Sequence, residues 1–168
     1  MRLKLLTLIS SIFLFGCEYV IHAVNPRVPL KKIEAAFINN KMAFEQLASK
    51  CVKNENLQGL VFRDKKIRFY KPQNKLKALT YEQATENTDL GSPMPLSMYC
   101  SRLTGLPNRP LSAVNFTYFK SLNVVDGESE GLIYITEYTL KKRGEKAFSK
   151  EQGYHQLPVE KWYVYSGY

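Results

Sequence analysis

Two histidines, three cysteines and fifteen carboxylates are the residues from which this 168-residue chain would have to build a catalytic or metal site. A Ser/His/Asp or Cys/His arrangement would depend on His22 or His155, and neither lies beside a nucleophile motif such as G-x-S-x-G. Metal-ligand spacings of the C-x-x-C, H-E-x-x-H and EF-hand kinds are absent from the sequence. Gly91 and Gly105 stand alone, so the chain has no glycine-rich phosphate loop and no cofactor is expected. Glu82 with Glu86, on a possible helix face, and Glu128 with Glu130, in a hairpin loop, are the candidate carboxylate pairs. A glycosidase needs two carboxylates fixed across a cleft, and these four acids read as solvated surface groups. The residue types point away from an enzyme.

Binding chemistry is better represented. Between Arg63 and Lys77 lie Arg63, Lys65, Lys66, Arg68, Lys71, Lys75 and Lys77, interleaved with Phe62, Phe69 and Tyr70, against the single acid Asp64. An exposed basic hairpin of this kind could dock an acidic protein or anionic headgroups, with Arg63, Lys65, Lys66, Arg68 and Lys71 as the contact residues. The competing reading is that such cations only guard a sheet edge against aggregation.

The N-terminus fixes the expected compartment. Arg2 and Lys4 precede Leu5–Phe15, eleven residues without a charge. A membrane-spanning helix needs about 20 apolar residues, so this run has the length of a secretory h-region. It closes on Leu14-Phe15-Gly16-Cys17, which resembles the lipobox of bacterial lipoprotein signal peptides. Leu14, Gly16 and Cys17 fall at its −3, −1 and +1 positions, while Phe15 departs from the small or β-branched residue usual at −2. The resemblance covers residues 1–17 alone. It implies cleavage after Gly16 and a diacylglyceryl thioether and amino-terminal fatty acyl chain, such as palmitate, on Cys17. Glu18, where an Asp commonly retains such proteins in the inner membrane, implies the outer membrane and its periplasmic face. Two or more acyl chains anchor far more firmly than one.

Removal of residues 1–16 leaves 152, the size of one domain, with 22 cations against 15 acids, a net charge of +7. That charge favours an acidic protein or an anionic membrane surface; nucleic acid is a poor partner in the envelope. With Cys17 acylated, Cys51 and Cys100 are an even pair in an oxidising compartment, where a disulfide is expected; two separate buried thiols are the alternative.

These residues have to be positioned by the following elements. Glu18–Pro29 reads as a short tether, giving a division into leader 1–16, anchored tether 17–29 and globular domain 30–168. Leu30, Ile33, Phe37, Phe44, Leu47, Ala48 and Cys51 form one helical stripe, predicting a long helix over Leu30–Asn54 that Asn39-Asn40 could split. Leu57–Lys71 predicts a β-hairpin turning at Asp64-Lys65, and Lys75–Asn87 a short helix. Gly91–Pro110 reads as irregular, with a helical turn over Leu96–Leu103 carrying Cys100. Leu111–Asn123 and Leu132–Lys142 predict strands around an Asp126-Gly127 turn, Arg143–Gln156 a polar loop and Lys161–Tyr165 a last strand, with the Trp162–Tyr165 and Tyr168 cluster buried against the helix. The expected fold is α+β, one long N-terminal helix on an antiparallel sheet of about five strands.

Size, compartment and missing catalytic motifs together favour a lipoprotein acting by protein binding, such as an immunity protein that neutralises a toxin delivered into the periplasm. An envelope structural or assembly role is the alternative. An enzyme with an uncommon site comes third.

Overall fold

The computed structural model describes residues 27–70, 79–103, 110–120 and 128–167. Pro29 sits at the N-cap with its carbonyl accepting from the amides of Lys32 (2.8 Å) and Ile33 (3.3 Å), which starts helix α1, Leu30–Asn39. The helix stops at Asn40, whose side chain turns back to donate to the carbonyl of Ala36 at 3.0 Å. Asn competes with the backbone for such bonds. Its own carbonyl then accepts from Ala43 at 2.9 Å and starts α2, Lys41–Lys53. The single long helix expected from the apolar stripe is therefore two shorter ones. Ile33, Phe37, Phe44, Leu47 and Cys51 are fully buried, so the stripe faces the core on both sides of the break.

The sheet is larger than expected, with seven strands, not about five. They are β1 (Leu57–Val61), β2 (Lys66–Phe69), β3 (Ser97–Arg102), β4 (Leu111–Lys120), β5 (Ser129–Ile135), β6 (Tyr154–Gln156) and β7 (Trp162–Gly167). Every pairing is antiparallel, in the order β2-β1-β3-β4-β5-β7-β6. The α+β class and the single antiparallel sheet are as expected.

Three local expectations are corrected. Cys100 lies on strand β3, not on a helical turn: the prolines of the 91–110 stretch flank the strand and none interrupts its ladder. The strand expected over Leu132–Lys142 ends at Ile135. There the Thr136 side chain accepts from the Thr139 amide and caps a new helix, α4, Glu137–Arg143. The expected polar loop 143–156 holds two 3-10 turns, Glu145–Phe148 and Lys150–Gln152, and edge strand β6. The short helix expected within Lys75–Asn87 is α3, Tyr81–Thr85, closed by a capping box between Thr80 and Gln83.

Register divides the side chains between two faces. Toward α1 and α2 point Leu60, Met98, Phe116, Leu132 and Val164 in one cross-strand row, and Cys100, Val114, Tyr134 and Trp162 in the next. Phe37 packs its ring 4.7 Å from that of Trp162, and Phe44 meets Phe116 edge-on at 5.1 Å. Trp162 is thus buried against the helices as expected, but Tyr163 and Tyr165 belong to the opposite face. There they join Ala113, Ile133, Ile135 and Phe148 in a second cluster. Helix α4 and the 3-10 turn cover only this part of the outer face. The hydroxyls of Thr136 and Thr139 pin α4 there, donating to the Ser112 carbonyl at 3.0 and 2.9 Å.

Candidate functional site

The basic hairpin forms as the sequence predicts, on the outer edge of the sheet. Leu60 pairs with Ile67 and Val61 with Lys66, leaving Phe62–Lys65 as a four-residue turn. Phe62 is buried and its amide donates to the Leu96 carbonyl at 3.0 Å, so the turn is fixed to the body of the sheet. Lys65 adopts φ 49°, the left-handed region that closes the turn without glycine. Arg63, Asp64, Lys65, Lys66 and Arg68 are all exposed. Among the described residues, none of these four cations is paired with a carboxylate. Lys71, Lys75 and Lys77 fall outside the described residues, as do Cys17, His22 and the whole leader.

The bridge between Cys51 and Cys100 is present, with the two Cα atoms 5.6 Å apart, and joins α2 to β3. Beside it, the Tyr70 hydroxyl donates to the Cys100 carbonyl at 2.6 Å, tying the outgoing end of the hairpin to the same strand. The hairpin is thus held at its turn and at its base.

The remaining candidates are dispersed. His155 is exposed on edge strand β6, and among the described residues no three His, Cys, Asp or Glu side chains gather as a metal site. Glu82 and Glu86 are exposed around α3. Glu128 and Glu130 depart from the expected solvated acids. Arg27 pairs with both, at 3.8 Å for Glu130, and stacks its guanidinium 5.1 Å from the centre of the Phe119 ring. No helix among the described residues is long and apolar enough to cross a membrane.

One exposed region escaped the sequence reading. The outer face of β2, β1, β3 and the near half of β4 carries no helix among the described residues, and its register places Lys66, Arg68, Ser97, Tyr99, Ser101 and Asn115 on it. Tyr99 is 40% exposed there. The alternation Ser97-Met98-Tyr99-Cys100-Ser101 is the period-2 signal of a half-buried strand, and it would have located this face. The surrounding prolines hid it.

Comparison of the chain with family models, with curated proteins and with solved structures gives no match. The functional argument therefore rests on the residues themselves.

Proposed function

We propose that this protein is a lipid-anchored lipoprotein on the periplasmic face of the outer membrane that acts by binding a protein, not by catalysis. Within that reading its role is immunity: it holds and neutralises a toxin delivered into the periplasm. The observation that carries the proposal is the edge hairpin, where Arg63, Lys65, Lys66 and Arg68 are exposed and unpaired among the described residues around one acid. Four like charges on the turn and on strand β2 that follows it attract an acidic surface and orient its approach. The lipobox-like leader supports the location, and helix α1 begins at Leu30, 13 residues beyond Cys17 (30 − 17), which would keep the binding surface near the membrane.

The test is protection. Cells making the protein are challenged in the periplasm with the product of the gene adjacent to its own. Survival that requires both Cys17 and the hairpin cations supports the proposal. Survival unchanged in the Cys17→Ser variant and in the variant with Lys65, Lys66 and Arg68 changed to Glu would overturn it.

A further inference from the structure

The sheet has two faces, and the helices α1 and α2 cover one of them. Among the described residues, the opposite face is covered where α4 and the 3-10 turn pack over Ile133, Ile135, Tyr163 and Tyr165. Beyond them, toward the hairpin edge, no described helix crosses four strands that span about 14 Å, three inter-strand steps of ~4.8 Å.

The composition of that open face is one-sided. In register across it run Arg68, Gly59, Tyr99 and Asn115, and beside them Lys66, Val61, Ser97 and Thr117. None of these side chains is a carboxylate, and both charged ones are cations. Asn115 donates to the Ser101 hydroxyl at 3.0 Å, so the polar groups on β3 and β4 are held in place. Gly59 stands between Arg68 and Tyr99. A Cβ there would lie 2.2 Å from the Met98 carbonyl oxygen, so the position stays glycine, and Gly59 itself is buried. Arg68 and Tyr99 stand two strands and roughly 10 Å apart, with no side chain of β1 between them.

We infer that this face is a docking surface for an acidic segment of a partner protein, whose carboxylates meet the exposed Lys66, Arg68 and Tyr99. The inference rests on the protein-binding reading above and extends its footprint from the hairpin turn across the sheet. The Arg68 guanidinium offers a carboxylate a planar two-donor fork, and the Tyr99 hydroxyl can donate to the same segment. Arg and Tyr are the residue types that dominate binding energy at protein interfaces. A lipid surface fits less well, since insertion into the headgroup boundary needs an apolar band. Here Tyr99 is the one large apolar body, among hydroxyls and an amide. The face also continues without a break into the exposed cations of the turn, so one acidic partner can span both.

Photo-crosslinking of the full anchored chain in its native cell tests this. A benzophenone amino acid is placed singly at position 99 on the open face, at 65 on the turn, and at 46 on the outer side of α2. The expected result is one protein captured from both 99 and 65, but not from 46, with the crosslinked peptide rich in Asp and Glu by mass spectrometry. With that protein purified, Arg68→Ala and Tyr99→Ala should each weaken binding at least about tenfold, and Gln46→Ala should leave it unchanged. Capture from 65 without capture from 99 would overturn the inference while leaving the hairpin reading standing. Capture from neither position would overturn both. Lipid adducts, or a neutral or basic peptide, at 99 would likewise reject an acidic protein as its occupant.

Discussion

The guanidinium of Arg102 donates to the main-chain carbonyl of Cys51, the residue whose sulfur is bonded to Cys100 two positions earlier on the same strand. A second bond from the same nitrogen reaches the Asn54 carbonyl at 3.1 Å. The last carbonyls of a helix have no partner within it and carry the negative end of its dipole. A cation from β3 satisfies them, so the end of α2 is held to the sheet by a covalent bond and a charged clamp side by side.

That arrangement makes the bridge a large contributor to stability. It closes a loop with sequence separation 49, for which chain entropy gives about 4 kcal/mol. Urea unfolding of the native protein and of a Cys51→Ala, Cys100→Ala double variant should differ by about that amount. Equal midpoints, or two free thiols in protein taken from the periplasm, would contradict the assignment.

Gly131 is the second position where the fold has no slack. The Tyr165 ring lies across it, and a Cβ on Gly131 would fall 2.3 Å from the Phe116 carbonyl oxygen and 2.9 Å from that ring. The Tyr165 hydroxyl hydrogen-bonds with Thr117 and Ser129, and burial pushes its pKa up. Gly131→Ala should cost about 2–4 kcal/mol, lowering Tm on the order of 10 °C. A variant melting within 2 °C of wild type would show that β4 and β7 can move apart, against this account.

How far the sequence revealed this fold depends on which rule governed each stretch. Strand β4 was legible because its burial follows its own apolar pattern, and the Asn39-Asn40 break because Asn supplies the bond that ends α1. Strand β3 was not legible, because prolines on both sides dominate the local composition while the strand itself contains none. Beyond Ile135 the period-2 pattern runs on through Thr136 and Tyr138, yet the chain becomes helical. The Thr136 hydroxyl and the Ser112 carbonyl, from a distant strand, decide the switch. Of the candidate site, the hairpin cations were readable. The face that carries Arg68 and Tyr99 was not, since it exists only once β2 and β3 flank β1.

Glu137 opens α4 and bonds to Lys141 at 2.7 Å, with Lys161 at 3.7 Å. The hydrogen bond from Lys141, then the charges of Lys141 and Lys161, hold its carboxyl below the ordinary 4.5. A depressed folded-state pKa means that the stabilisation is present above the ordinary value and is lost as pH falls through the folded one. A carboxyl-detected NMR titration should show Glu137 titrating below 4.5, and Lys141→Met should move it upward. A midpoint indifferent to that substitution would remove Lys141 as the cause.

Anchoring is tested at Cys17, the thiol on which thioether formation depends. The Cys17→Ser protein should accumulate as an unprocessed precursor, whereas wild type should fractionate with outer membrane and carry acyl chains by mass spectrometry. Normal maturation of the serine variant would end the lipoprotein reading.

The hairpin charges should act on the approach of a partner more than on the fold. Arg63, Lys65, Lys66 and Arg68 are exposed, so reversing Lys65, Lys66 and Arg68 to Glu removes no packing. Surface substitutions of this kind usually change stability by less than about 0.5 kcal/mol, so Tm should scarcely move. Association with an acidic partner should slow by at least tenfold at low salt, with a smaller change in dissociation, because rim charges act chiefly through the on-rate. The wild-type on-rate should fall as ionic strength rises, since exposed charges are screened within about 10 Å at 0.1 M salt, and the reversed variant should lose that dependence. Surface plasmon resonance across a salt series measures both rates. Identical on-rates for the two proteins at every ionic strength would reduce these cations to guards of a sheet edge.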